Sequence, residues 1–386
     1  MAAICGIRCR LLAWVILAEG IGGQFLGASS CEQIAQLKLR GARVVSAKSM
    51  PAGSFLPPGA DATKPEAGVY RKLPAFCRVV VQATPAADSQ IPIEVWMPLE
   101  SWNQKFRGQG NGGYAGSFDF RGMAGSLGLG YATAGTDTGH SGEATDSSWA
   151  LGHPEKVKDF GYRAVHEMTD KAKTVIAKFY AIAPKQAYFD SCSDGGREAL
   201  MEAQRFPRDY DGILAGAPAN YWTHLLTGGL EVARTITKKR SSFIPPEKLS
   251  LITTAALAAC DANEGVRDGI LNDPTRCHFD PAVLLCSQKK KEPCLSKQQI
   301  QTIKKVYGGE TASRGEGLTS GLMPTSEAGD GGWKDWVTGE TFGGGDGIKY
   351  TTGFFKNMVY EDPNWDYRSA NIAKAQRAAD QKLAGI

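Results

Sequence analysis

The sequence has little excess charge of either sign. Its 386 residues include 44 lysines and arginines against 40 aspartates and glutamates, a formal net charge of +4. This excess gives no argument for nucleic-acid binding, which is marked by a strongly basic face. The run Lys289 to Lys291 is more typical of a solvated loop than of a binding patch. With 42% hydrophobic residues, the composition predicts one large globular domain, alone or with an insertion.

The sequence also lacks a bilayer-spanning stretch near its N-terminus. The apolar run from Leu11 to Ala18 is too short to cross a membrane. Arg8 and Arg10 precede it and small residues follow it at 26–28, which is the arrangement of a secretory signal peptide. We expect residues 1–28 to be removed, leaving a secreted or periplasmic protein without a membrane partner. A retained anchor is the alternative.

One segment, residues 185–221, predicts a β-strand, a tight turn, a helix and a second strand. Ala187–Phe189 and Gly212–Ala215 are short apolar runs, and Arg197–Arg205 has helical periodicity. Such a βαβ unit implies a parallel sheet and an α/β fold.

The turn of this unit holds Ser193 within Ser191-Cys192-Ser193-Asp194-Gly195. This frame is close to the G-x-S-x-G elbow, in which a serine is exposed on a sharp strand-to-helix turn. The start of the following helix offers free N–H groups for a developing oxyanion. Because Ser191 stands where the first glycine is expected, an ordinary glycine-rich turn is the alternative.

Upstream of the elbow, the pattern predicts more strands and one long helix. Cys77–Ala83 and Ile91–Met97 alternate as in a β-hairpin, and Tyr131–Ala134 is a further strand. Asp159–Tyr180 has the apolar face of an amphipathic helix. No strand is predicted from Cys31 to about Pro74, where proline and glycine are frequent.

Several motifs together resemble one family. They are the elbow segment at 188–222, Gly110-Asn111-Gly112-Gly113, the stretch Thr136–His140 and the stretch Asp159–His166. These segments resemble the tannase and feruloyl esterase family, a branch of the α/β-hydrolases, from Cys31 to about Leu383. The resemblance implies a serine esterase that cleaves small phenolic esters. It also implies Ser193 as the nucleophile, with the backbone N–H groups of Asp194, Gly112 and Gly113 as oxyanion donors.

Seven cysteines follow the predicted signal peptide, and in an oxidising compartment six of them would pair. Proximity and the resemblance favour the pairs Cys31–Cys77, Cys260–Cys277 and Cys286–Cys294, although the sequence alone cannot fix the connectivity. Cys192, beside the candidate nucleophile, is then left over.

From about Trp222 the strand signals become scarce, and helices are predicted at Glu247–Ala259 and Ser296–Tyr307. We expect residues 29–221 to form the N-terminal part of an α/β-hydrolase core. The resemblance implies that residues 222–386 form a large inserted lid domain over the active site.

One loop of this lid is rich in oxygen ligands. Carboxylates recur at Asp261, Glu264 and Asp268, and backbone carbonyls are available at Val266 and Ile270. A hard cation such as calcium is bound by several oxygens of both kinds. The loop resembles the family's lid calcium site, with Glu264 where an aspartate is usual, so structural calcium is the expected cofactor. A metal-free acidic turn closed by a disulfide is the alternative.

No residue matches the family's catalytic acid or histidine. His140 and His166 precede Ser193, and His224 follows it too closely for an acid-bearing strand to lie between them. The resemblance therefore implies a further segment after Ile386, without which the α/β-hydrolase core is incomplete at its C-terminus. We expect residues 29–386 alone to be inactive and poorly folded. The alternative is a truncated, catalytically silent protein that binds calcium or a phenolic ligand.

Overall fold

A computed structural model describes residues 29–287, 293–311 and 317–383. The predictions for the signal peptide and for Lys289 to Lys291 lie outside these residues. Within them, no helix has both the length and the apolar character needed to cross a membrane.

Eight strands form one mixed sheet in the order β1-β2-β3-β4-β6-β5-β7-β8. Their bounds are β1 Lys38–Leu39, β2 Ala42–Met50, β3 Phe76–Ala83, β4 Ile91–Pro98, β5 Lys105–Gln109, β6 Ala132–Thr136, β7 Gln186–Cys192 and β8 Gly212–Gly216. Pairing is antiparallel from β1 through β4 to β6, and parallel among β6, β5, β7 and β8. The predicted α/β class and parallel βαβ unit are therefore confirmed.

The strand β2 corrects the sequence prediction, because it lies in the segment for which no strand was expected. It pairs with β3 along its whole length, with a bulge between Val44 and Ser46. Only Ala47 of its nine residues is buried. A strand near the sheet margin with so little buried surface has a weak hydrophobic alternation, and such alternation is the signal that sequence reasoning uses.

The helices alternate with the strands at first and then follow one another. They are α1 Gly68–Arg71, α2 Phe120–Gly128, α3 Pro154–Lys158, α4 Ala164–Tyr180, α5 Asp194–Arg205, α6 Trp222–Ile236, α7 Leu249–Cys260, α8 Lys297–Gly308, α9 Asp346–Gly353 and α10 Ile372–Leu383. The single helix predicted from Asp159 begins instead with a π-helical turn, Asp159–Arg163, ahead of α4. Helix α8 starts with the capping box predicted from Ser296 and Gln299.

Two large hydrophobic clusters account for most of the buried apolar surface. One packs the sheet against α4 and includes Val79, Ile93, Phe106, Met168 and Val175. The other is built mainly from residues after 221, among them Leu230, Ile252, Ile303, Phe354 and Phe355, and it also contains Tyr114 and Phe160. The residues predicted to form a lid thus share a core with the loop that contains Tyr114 and with the π-helical turn that contains Phe160. The proposed domain boundary stays a prediction.

The three predicted disulfides, Cys31–Cys77, Cys260–Cys277 and Cys286–Cys294, are present, and Cys192 is free and exposed. The strand β8 is last in the order of the described strands and pairs with β7 alone. Its Leu214 is 59% exposed. Among the described residues, the outer edge of β8 therefore has no strand partner, and one apolar side chain of this strand is exposed.

Candidate active site

Ser193 lies between the end of β7 and the start of α5, with φ 62° and ψ −119°. A non-glycine residue at positive φ is strained, at a cost of about 1–3 kcal/mol. Two hydrogen bonds hold the Ser193 backbone in this conformation: its N–H donates to Gly216 O at 3.0 Å, and its C=O accepts from Ala219 N at 2.9 Å. Such a sharp, over-determined turn exposes the serine side chain, as in a nucleophile elbow.

The serine at position 191 does not disrupt this elbow. A β-carbon on Gly195 would clash with the Ser191 side chain. Because Gly195 has no side chain, Ser191 fits where the usual pattern has a glycine. The imperfect motif is thus compatible with the elbow geometry.

Two of the three predicted oxyanion donors belong to residues that line the cavity of Ser193. Asp194 is the first residue of α5, and Gly113 lies on the loop after β5. In the hydrogen-bond network of the described residues, neither N–H has an acceptor. Both residues line one cavity together with Ser193. Gly112, the other predicted donor, is adjacent in the loop but is not part of the cavity wall.

The cavity that Ser193 opens into has a volume of about 700 Å³ and is lined mainly by residues after 216. Its wall includes Trp336 and Tyr350, whose rings stack with centroids 5.6 Å apart. A β-carbon on Gly113 would lie 2.6 Å from the Tyr350 hydroxyl, so this phenol is next to the Gly110–Gly113 loop. A flat aromatic group bound near Ser193 would find a complementary surface here.

A buried ion pair supports the elbow from behind. Arg197 Nε and Asp194 Oδ1 are 2.6 Å apart, and the two side chains are 4% and 1% exposed. The guanidinium also donates to the carbonyls of Phe160 and Gly161 at 2.9 and 2.8 Å. Burial opposes its charge, but the neighbouring Asp194 carboxylate outweighs this and raises the pKa of Arg197. These contacts fix the first turn of α5, and hence the Asp194 N–H.

His140 and His166 have the structural roles predicted for them. His140 is buried, its Nε2 is 2.7 Å from Tyr114 O, and burial lowers its pKa to about 4. His166 Nδ1 is 2.6 Å from Asp209 Oδ2. Neither residue lines the cavity of Ser193.

His224 has an environment that the sequence did not predict. It lines the same cavity as Ser193, and its Nε2 is 3.1 Å from Asp380 Oδ2 on α10. The acidic partner comes from a helix near the end of the described chain rather than from a strand close in sequence, so spacing gave no sign of the pair. The Ser193 hydroxyl itself has no hydrogen bond to any residue that the structure describes.

In the candidate calcium loop, two of the predicted ligands accept hydrogen bonds from neighbouring backbone N–H groups. Asp261 Oδ2 accepts from Gly269 N at 3.2 Å, and Asp268 Oδ1 accepts from Ile270 N at 3.0 Å. Asp261 Oδ1 is buried and has no hydrogen-bond partner among the described residues. The Val266 and Ile270 side chains are exposed, and the side chain of Glu264 lies outside the described part. No cluster of three His, Cys, Asp or Glu side chains suited to a metal occurs among the described residues.

The strand order and the strand-turn-helix elbow together define an α/β-hydrolase fold. A family model, Tannase and feruloyl esterase, matches residues 77–384. The chain belongs to the tannase and feruloyl esterase family.

Relatives and solved structures agree with this assignment. An uncharacterized esterase of Xanthomonas campestris pv. campestris is 38% identical over 93% of this chain and 63% of its own length. A probable feruloyl esterase B-1 of Aspergillus fumigatus is 33% identical over 79% of this chain and 56% of its own. The crystal structure of feruloyl esterase B from Aspergillus oryzae superposes with a TM-score of 0.80 at 28% identity, covering 91% of this chain and 68% of that one. The chain thus spans about 56–63% of the length of these curated relatives.

Proposed function

We propose that the protein hydrolyses carboxylic esters with Ser193 as the nucleophile. The observation that carries this proposal is the strained Ser193 backbone on the elbow, at a cavity also lined by Asp194 and Gly113, whose N–H groups have no acceptor among the described residues. A serine held in this way can reach an ester carbonyl while donors face the oxygen that becomes negative. Family membership supports the same reaction class.

In the proposed reaction, Ser193 Oγ attacks the carbonyl carbon and loses its proton to a base. The resulting oxyanion accepts hydrogen bonds from the Asp194 and Gly113 N–H groups. Collapse of this intermediate releases the alcohol and leaves an acyl group on Ser193, which water then removes to regenerate the hydroxyl. His224, held by Asp380 at the same cavity, is the candidate base among the described residues.

The substrate class we propose is small esters of phenolic acids, cleaved outside the cytoplasm. The stacked pair Trp336 and Tyr350 supports an aromatic acyl group beside the oxyanion loop. The names of the Aspergillus relatives, feruloyl esterases, agree with this choice. The three disulfides support secretion into an oxidising compartment.

A fluorophosphonate probe tests the nucleophile directly. We expect peptide mapping of the labelled full-length gene product to find one modified residue, Ser193, because a phosphonate reacts with an activated serine and its oxygen occupies the oxyanion site. Prior incubation with methyl ferulate should slow the labelling. Labelling at another serine, or none in a protein that hydrolyses the ester, would contradict the assignment.

We further propose that the loop closed by the Cys260–Cys277 disulfide binds a structural calcium ion. Asp261 Oδ1, which is buried and has no partner within the described part of the chain, and the Asp268 carboxylate of the same loop support this fit, since a hard cation is bound by such oxygens. The Val266 and Ile270 carbonyls and the Glu264 carboxylate would complete the set. The ion would stabilise the loop and would take no part in the ester chemistry.

Removing the ion should lower thermal stability. We expect the unfolding temperature of the purified protein to fall in EDTA and to recover with millimolar calcium, because an ion that binds only the folded state stabilises it by mass action. Asp261→Asn should abolish this calcium response. Asp273→Asn, in the same disulfide loop but outside the proposed ligand set, should retain it. An unfolding temperature independent of calcium in the wild-type protein would refute the site.

A further inference from the structure

The buried carboxyl group of Glu198 has no part in the reaction described above. Glu198 lies on α5, one turn after Asp194, and is 1% exposed. Its Oε2 accepts the backbone N–H of Asn111 at 2.9 Å. Asn111 belongs to the Gly110–Gly113 loop, and Gly113 of this loop lines the cavity of Ser193. A side chain of the nucleophile helix is therefore bonded directly to the backbone of the oxyanion loop.

The same loop residue is tied to the elbow a second time. The C=O of Asn111 accepts from Gly195 N at 2.8 Å, while its side-chain amide donates to Thr136 O at 2.9 Å. A β-carbon on Gly110 would clash with Glu198 Oε2, so this glycine permits the close approach of loop and carboxyl group. The backbone N–H of Asn111 is thus bonded to Glu198 and its backbone C=O to Gly195, and both partners lie on α5.

We propose that Glu198 is a positioning residue whose carboxyl group holds the Gly110–Gly113 loop so that the Gly113 N–H faces the oxyanion formed at Ser193. This role rests on the proposed esterase function, because a fixed loop position matters only if an oxyanion forms at Ser193. Oxyanion donors are effective only when their position is set before the reaction, and small displacements cost much of the rate.

The charge state of Glu198 suits this role. The groups facing it are Asp194, Arg197 and Glu202 on α5 and Tyr210 ahead of β8. Burial, followed by the charge of Asp194, raises the pKa of Glu198 to about 8. Its Oε1 is buried and has no hydrogen-bond partner in the described part of the chain, an environment that disfavours the ionised form. A neutral carboxyl accepts the Asn111 N–H without adding negative charge beside a developing oxyanion.

The pH dependence follows from this state. Above about pH 8 the carboxyl ionises, and its negative charge opposes the charge that forms on the substrate oxygen. At pH values between the ordinary carboxyl pKa and about 8, Glu198 is protonated in the folded protein and ionised in the unfolded chain. The contribution of Glu198 to stability therefore decreases as the pH rises through this window.

Hydrogen exchange tests the positioning without relying on catalysis. In Glu198→Met the Asn111 N–H loses its acceptor, whereas Glu198→Gln retains an acceptor oxygen. We expect the peptide covering residues 110–113 to exchange about tenfold faster in Glu198→Met, the effect of losing one buried hydrogen bond. Glu198→Gln should stay near wild type. Glu202→Met, which replaces a buried carboxyl one turn further along α5, is the matched control and should also stay near wild type.

Kinetics supply the second readout, with methyl ferulate as substrate and the full-length gene product as enzyme. We expect kcat of Glu198→Met to fall about a hundredfold with little change in KM, as when an oxyanion donor is lost. Glu198→Gln should retain the wild-type kcat at pH 7 and lose the decline of kcat above pH 8. The unfolding temperature of Glu198→Gln minus that of the wild-type protein should increase from pH 5 to pH 8, because only the wild-type side chain ionises.

The outcomes distinguish failure of the positioning role of Glu198 from failure of the proposed esterase function. Unchanged exchange at residues 110–113 in Glu198→Met would overturn the positioning role, even in an active enzyme. An unchanged alkaline decline in Glu198→Gln would do the same. A wild-type protein that hydrolyses no ester would refute the proposed function, and the exchange result would still decide whether Glu198 holds the loop. Should Glu198→Met fail to fold, the pH profiles of activity and stability for Glu198→Gln decide the question.

Discussion

Replacing Ser193 with alanine is expected to lower kcat for feruloyl or galloyl ester hydrolysis by about 10⁴–10⁶-fold. The alanine variant keeps the Asp194 and Gly113 N–H groups and the cavity, so the substrate still binds. It has no oxygen to attack the carbonyl carbon, so the acyl intermediate cannot form. Initial rates with methyl ferulate, measured on the full-length gene product, would show a loss in kcat rather than a large rise in KM.

The control for this experiment is Ser320→Ala, which removes a second hydroxyl from the same cavity wall without touching the elbow. It should hydrolyse the ester near the wild-type rate. His224→Gln, assayed in parallel, reports whether the imidazole paired with Asp380 acts as the base. Wild-type-like turnover in Ser193→Ala would exclude Ser193 as the nucleophile.

Replacing Arg197 with methionine is expected to destabilise the fold by about 3–5 kcal/mol. The substitution keeps most of the side-chain volume but removes the cation, which leaves the buried carboxyl group of Asp194 without its ion-pair partner. It also removes the donors to the Phe160 and Gly161 carbonyls, which are then unsatisfied. Urea unfolding followed by tryptophan fluorescence would measure the loss as a lower midpoint at an unchanged slope.

Arg368→Met is the matched control, because Arg368 pairs with Asp366 in an ion pair whose side chains are more than half exposed. An exposed pair contributes at most about 1 kcal/mol, so this variant should unfold close to wild type. Equal midpoints for the two arginine variants would mean that the Arg197–Asp194 pair does not stabilise the elbow.

Short-range sequence patterns correctly predicted the strand, turn and helix around Ser193. The apolar runs on either side of Ser193, the small residues around it and the periodicity after Arg197 each act over a few residues. The structure accordingly has β7, α5 and β8 where the sequence pattern predicted them. The same holds for the capping box at Ser296, since its two hydrogen bonds join residues three positions apart.

Contacts between distant residues were harder to predict. The His224–Asp380 pair joins residues from α6 and α10, and no spacing rule connects them. Glu198 resembles an ordinary polar residue of an amphipathic helix until the fold brings the loop after β5 over it. The weakly amphipathic strand β2 was missed because its stability comes from pairing with β3 and little from its own buried face.

The shared hydrophobic cluster has a consequence for exchanging parts between relatives. Tyr114, from the loop after β5, donates its hydroxyl to the Tyr350 carbonyl at 2.5 Å and packs edge-on against Trp222. The Arg197 guanidinium lies over the rings of Phe160 and Trp222. The segment after residue 221 therefore cannot be exchanged on its own. A chimera that takes this segment from another esterase must also carry matching residues at 114 and 160, or the packing of the shared aromatic core will be disrupted.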